Sequence, residues 1–170
     1  GTEILIGRLV GAGEFEAAYR EVLKSLRTGL IIAVVAISLV AITAPHLLGL
    51  FSHDAAIVAG GTVLLWMSIV YEPGRVFNIV IINSLRATGD ARFPVQIAVC
   101  SQWLFSVPLC WVLGLELHWG LPGIWGAMMI EEWFRGVVMY RRWKKRGWMK
   151  YAQRSRERVL ADTLPLVPEA

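Results

Sequence analysis

Four long runs of apolar residues dominate the pattern along the chain. They cover residues 29–51, 55–85, 93–115 and 121–140, and few polar residues interrupt them. A bilayer core about 30 Å thick takes about 20 helical residues to cross, and a single segment satisfies its own backbone hydrogen bonds in lipid only as a helix. The pattern therefore predicts an all-α membrane protein with about four transmembrane helices.

The segments around these runs divide the chain into three regions. Residues 1–27 open with an apolar stretch at 4–6, typical of the end of a transmembrane helix, and the polar stretch 14–27 predicts a cytoplasmic amphipathic helix. Residues 28–141 form the predicted four-helix transmembrane region. Residues 142–170 lose hydrophobicity and predict a basic cytoplasmic tail that is partly disordered. Because the chain begins with glycine inside an apolar stretch, we expect that the start of the protein is missing.

Composition argues against a soluble domain, because only 18% of the residues are charged and 56% are hydrophobic, whereas soluble domains carry about 25% charged residues. The positive charge also follows the topology. The loops at 52–54 and 116–120 contain no Lys or Arg. Basic residues occur instead before the first run, between the second and third runs, and after the fourth run. This alternation follows the positive-inside rule and places both ends of the chain in the cytoplasm. It explains the net charge of +4 without a nucleic-acid partner.

The second apolar run carries charged and amide side chains where they are costly. Tyr71, Glu72, Arg75 and Asn78 lie well inside this run, and each intramembrane charge costs about 2.5–3.5 kcal/mol on insertion scales. Pro73 follows Glu72 directly and predicts a break in the helix. Such breaks free backbone carbonyls that bind ions in transporters. Glu72 is therefore the candidate for binding a proton or a small cation.

The fourth run carries a second charged group. Arg135 is four residues after Glu131 and three after Glu132, so it can pair with either. Counted with Glu72 and Arg75, the second and fourth runs hold three carboxylates and two arginines. One carboxylate therefore has no arginine partner. Two other interpretations stay open at this point: charged pairs that only hold helices together, and an Arg135 side chain that extends toward the membrane surface.

Several short motifs, in this order and spacing, resemble the second half of a multidrug and toxic compound extrusion (MATE) transporter. The matching pieces include Ile6-Gly7-Arg8-Leu9-Val10-Gly11-Ala12-Gly13, Tyr71-Glu72-Pro73-Gly74-Arg75-Val76-Phe77-Asn78, Leu85-Arg86-Ala87-Thr88-Gly89-Asp90, Leu121-Pro122-Gly123-Ile124-Trp125-Gly126 and Glu131-Glu132-Trp133-Phe134-Arg135-Gly136. The resemblance extends over residues 2–150.

The resemblance implies most of a C-terminal lobe from a twelve-helix transporter, with helices nine to twelve in this chain. It implies antiport of small cationic organic drugs across the plasma membrane in exchange for protons or sodium. Glu72 matches an acidic residue of the family's cation site. Tyr71, Arg75, Asn78 and the charged group of the fourth run are then supporting or cavity residues. The implied partners are the lipid bilayer and the missing N-terminal lobe.

Three other functions fit the sequence less well than drug antiport. A lipid-linked sugar flippase of related fold is expected to have a basic cavity, whereas the intramembrane charges here sum to one net acid. A small four-helix scaffold without transport is disfavoured by a start inside a helix. An enzyme is disfavoured because no nucleophile–base set is visible. We expect no metal site and no cofactor beyond the coupling ion.

Overall fold

A computed structural model describes residues 1–163 of the chain, and every regular element in that range is helical. The helices are α1 (Thr2–Ala12), α2 (Phe15–Gly49), α3 (Ala55–Ala87), α4 (Arg92–Glu116), α5 (Gly120–Lys144) and α6 (Met149–Thr163). The prediction of an all-α protein is confirmed.

Three of these helices, α2, α3 and α4, are long and apolar enough to cross a membrane. The fourth predicted span, α5, has 25 residues, but its three central charges lower its hydropathy. The amphipathic helix predicted at 14–27 continues into the first span without a break. It forms the first part of α2, because neither a proline nor a capping turn separates Arg27 from Gly29.

Large apolar side chains cover the outer faces of the long helices. On α2 and α4 the exposed set includes Ile31, Ile32, Leu39, Ile42, Trp103 and Leu104. Exposed apolar surface of this extent is typical of a face that contacts lipid or another apolar surface. It agrees with a membrane protein.

Two glycines end helices in the left-handed conformation. Gly13 has φ 83° and Gly89 has φ 86°. After α3, the Gly89 N–H donates to the Arg86 carbonyl at 2.9 Å and the Asp90 N–H to the Leu85 carbonyl at 3.0 Å. This is the Schellman arrangement. It explains why the Leu-Arg-Ala-x-Gly-Asp motif occurs where α3 turns into α4.

The break predicted at Pro73 does not occur, because α3 continues from Ala55 to Ala87. Pro73 lacks the backbone N–H that would bond to the Ile69 carbonyl in a regular helix. The next carbonyl, that of Val70, accepts a hydrogen bond from the Trp133 indole N–H of α5 at 3.0 Å. The irregular backbone lies in α4 instead. There, π-helical segments Gln102–Ser106 and Trp111–Glu116 flank a short α-helical turn that contains Pro108.

The main apolar core lies where the turns at 13–14, 88–91 and 145–148 meet, here called the basic end. Its buried members include Ile6, Val10, Val22, Leu26, Ile81, Leu85, Met139, Trp143, Trp148 and Ala152. Trp143 and Trp148 stack at 4.4 Å, and the tail helix α6 joins this core through Ala152. Of the tail predicted to be partly disordered, the described part is helical as far as Thr163, with the side chains of residues 156–161 exposed. The rest of that prediction concerns residues 164–170, outside the described range.

Candidate functional site

Helices α3 and α5 approach closely through two reciprocal glycine contacts. A Cβ on Gly74 of α3 would lie 2.7 Å from Trp133 Nε1, and a Cβ on Gly136 of α5 would lie 2.5 Å from Phe77 Cδ1. Each helix thus presents an aromatic ring to a glycine of the other, and the rings of Phe77 and Trp133 stack at 5.9 Å. This packing fixes the rotation of α5 relative to α3, and with it the direction of the α5 charges.

Those α5 charges form a buried cluster on the side that faces α3 and α4. Arg135 Nη1 lies 3.2 Å from Glu131 Oε1, and Arg135 Nη2 lies 2.7 Å from Glu132 Oε1. The exposed fractions of these side chains are 15% for Arg135, 5% for Glu131 and 13% for Glu132. One guanidinium therefore serves two carboxylates, and its side chain does not reach for the membrane surface.

Each carboxylate also accepts a hydrogen bond from a different neighbouring helix. Asn78 on α3 donates from Nδ2 to Glu132 Oε2 at 2.7 Å. Ser101 on α4 donates from Oγ to Glu131 Oε1 at 2.6 Å. The cluster therefore links α3, α4 and α5 through polar groups in a region that is otherwise apolar.

Two polar atoms of this cluster have no hydrogen-bond partner among the described residues. They are Asn78 Oδ1 and Arg135 Nε, and both are buried. Asn78 as a whole is 1% exposed. An amide oxygen has two lone pairs, so Asn78 Oδ1 offers a neutral acceptor beside Glu132. With two carboxylates, one guanidinium and a spare oxygen acceptor, the cluster is suited to hold a proton or a small cation.

Glu72 lies outside this cluster. It pairs with Arg75 at 3.3 Å, and the two side chains are 33% and 51% exposed. Because Glu72 pairs with Arg75, the carboxylate in excess is at the Glu131–Glu132 pair, where one arginine serves two carboxylates. Tyr71 packs near Trp125, with ring centroids 5.8 Å apart. The role predicted for Glu72 as a coupling residue stays a prediction.

Of the residues predicted from sequence, the structure brings together Asn78, Glu131, Glu132 and Arg135, while Glu72 and Arg75 pair with each other. Tyr71 lies close enough to interact electrostatically with both groups. Ser101 was missed. A single serine in an apolar span gives only a weak signal, because its hydroxyl can bond to its own helix, as Ser101 also does to Ala98. Within residues 1–163, no group of three or more His, Cys, Asp or Glu side chains could hold a metal ion.

Comparison with known proteins places the chain in one family. The family model described as MatE matches residues 1–112. The chain is 47% identical over 150 residues to a Bacillus subtilis protein named "Uncharacterized transporter YisQ", which covers 88% of this chain and 33% of that protein.

More distant relatives carry a more specific name. Proteins named "Probable multidrug resistance protein NorM" from Rhodopseudomonas palustris and Chromobacterium violaceum are 26% and 27% identical, over 81% and 80% of this chain. These matches cover 29% and 30% of those proteins, so the chain spans about a third of the length of the curated relatives it matches. With a family model over residues 1–112 and a relative at 47% identity, the chain belongs to the MatE family.

Proposed function

We propose that this chain is part of a secondary antiporter that exports small cationic organic compounds in exchange for protons or sodium. The names of the NorM relatives support a role in drug efflux. The alternation of basic residues supports a plasma-membrane protein with both ends of this chain in the cytoplasm. The match covers 33% of the Bacillus subtilis relative, and in this proposal transport also uses parts of the transporter outside this chain. The proposal requires no enzymatic step and no nucleic acid.

The observation that carries the proposal is the excess carboxylate in the buried cluster of α5. Glu131 and Glu132 share Arg135 and are nearly inaccessible. An unbalanced charge inside a membrane is costly and typically marks an ion or proton pathway. A proton on either carboxylate, or a sodium ion held by Glu132 and Asn78 Oδ1, would remove that imbalance. Both are the coupling ions expected for this class of transporter.

Binding of the coupling ion would act through the helices that hold the cluster. Asn78 ties Glu132 to α3, and Ser101 ties Glu131 to α4. When an ion neutralises one carboxylate, it weakens the attraction of that carboxylate for Arg135 and changes its hydrogen bonds. A ligand shifts a conformational equilibrium only through different affinity for the two states. Different arrangements of α3, α4 and α5 around the cluster supply such a difference.

Glu72 and Arg75 have a separate role in this proposal. Their side chains are partly exposed, on a part of α3 that the family resemblance assigns to the cation site. We infer that this pair faces a cavity or helices contributed by the rest of the transporter. There, Glu72 would meet the cationic cargo or the coupling ion.

The test is gradient-driven efflux of ethidium by the full-length natural protein, measured in cells at equal expression. Glu132→Gln and Glu72→Gln are compared with Glu157→Gln, which removes an exposed carboxylate on α6. We expect both membrane variants to lose most of the efflux and Glu157→Gln to retain it. Efflux retained by both membrane variants refutes the proposal. Loss in Glu72→Gln alone would make the α5 cluster a structural element.

A further inference from the structure

A cavity at the basic end lies apart from the buried carboxylates. It has a volume of about 510 Å³ and lies between the α3–α4 turn and the tail helix α6. Its lining includes Arg92 from the start of α4 and Arg154, Ser155 and Arg158 from α6. Two separate elements therefore bring three guanidinium groups to one concave surface.

The charge of this cavity stays positive. Among the described side chains, those of residues 1–161, no ion pair is formed by Arg92, Arg154 or Arg158. The one carboxylate in the lining, Asp90, is 2% exposed and accepts a hydrogen bond from Arg142 at 2.9 Å. This hydrogen bond raises the pKa of the Arg142 guanidinium. Asp90 is therefore already engaged outside the cavity and does not neutralise the three arginines.

The cavity adjoins surfaces suited to the edge of a lipid bilayer. On α4, Val95 and Val99 follow Arg92 and are 50% and 55% exposed. On α6, Leu160 follows Arg158 and is 47% exposed. A ligand with an anionic head and an apolar body would match this combination of arginines and exposed apolar side chains. Guanidinium groups bind phosphate through paired N–H donors, and basic pockets on the cytoplasmic side of membrane proteins bind anionic head groups.

We propose that the cavity binds the phosphate of an anionic phospholipid head group, with Arg92, Arg154 and Arg158 as its ligands. This inference rests on charge and shape at the basic end and does not depend on drug transport. A bound lipid would bridge α4 and α6. It would thereby hold the tail helix against the α3–α4 turn, where Gly89 lies next to Tyr151 and Ser155.

The test is lipid binding to the delipidated full-length protein, measured by native mass spectrometry with phosphatidylglycerol or phosphatidylcholine. The pocket variant is Arg154→Gln with Arg158→Gln. The matched control is Lys144→Gln with Lys145→Gln, which removes the same charge from exposed positions outside the cavity lining. Arg92→Gln provides a second pocket variant on a different helix. Circular dichroism confirms that each protein is folded.

We expect phosphatidylglycerol to bind about tenfold more tightly than phosphatidylcholine, which corresponds to about 1.4 kcal/mol. Both pocket variants should lose most of that preference, and the lysine control should keep it. Equal preference in the pocket variants and the control overturns the proposal. Displacement of the lipid by millimolar inorganic phosphate also overturns it, because the cavity is then a site for free phosphate.

Discussion

Arg135 is the only cation in contact with two buried carboxylates among the described residues, so its removal tests the charge arrangement directly. In Arg135→Gln, Glu131 and Glu132 lose contacts of 3.2 and 2.7 Å. A hydrogen bond to a charged group contributes about 1.5–3 kcal/mol, so two give about 3–6 kcal/mol. Loss of one partner from a buried ion pair costs about 3–5 kcal/mol. The two estimates overlap at a loss of about 3–5 kcal/mol in the free energy of unfolding.

Thermal unfolding of the purified full-length protein in detergent measures this effect. The matched control is Arg75→Gln, whose pair with Glu72 is partly exposed and is expected to contribute about 0–1 kcal/mol. Adding Glu132→Gln to Arg135→Gln should restore part of the lost stability, because it removes one of the two uncompensated charges. The reasoning is refuted if Arg135→Gln melts no lower than the control. It is also refuted if the double variant melts below the single one.

Two further contacts give predictions that the same unfolding assay can check. Gly74→Ala places a Cβ 2.7 Å from Trp133 Nε1 and should cost about 1–3 kcal/mol through overpacking. Gly126→Ala, whose Cβ would meet only a methyl carbon at 3.9 Å, should be neutral or stabilising by up to about 1 kcal/mol. Equal melting temperatures of the two variants would contradict the close approach of Gly74 to Trp133. Asp90→Asn weakens the bond to Arg142 and should cost about 1–3 kcal/mol, so an unchanged melting temperature argues against that contact.

The sequence predicted the helices well because their signals are local. Residues 55–85 were expected in one span, and α3 covers Ala55–Ala87. Helix α1 ends at Gly13 in the left-handed conformation, at a residue type that commonly ends helices. The end of the chain was harder to predict. The polar tail was predicted to be partly disordered, but its described part forms α6. Trp148 and Ala152 are buried among side chains from α1, α2 and α5, and these contacts hold the start of α6 in place. Those contacts join residues far apart in sequence, which no local pattern records.

The candidate site was predicted in its residues but not in its arrangement. A count of charges correctly gave one carboxylate too many, but the count could not say which one. That depends on how far each helix is rotated, and the rotation is set by the contacts of Gly74 and Gly136 with aromatic rings. Proline was also a misleading signal at residue 73, because α3 continues through Pro73 from Ala55 to Ala87 although this residue lacks a backbone N–H.

Helix α5 joins the buried cluster to the basic end. Arg135 and Trp143 are eight residues apart, which is about 12 Å along a helix. Below the cluster, α5 is held firmly: Trp143 is fully buried, and Arg142 bonds to Asp90 of the α3–α4 turn. At the cluster itself, α5 is connected to α3 and α4 by hydrogen bonds that Glu132 and Glu131 accept. The strength of these hydrogen bonds depends on whether the carboxylates are charged. We therefore expect a coupling ion to move the membrane part of α5 relative to its neighbours while the basic end stays in place.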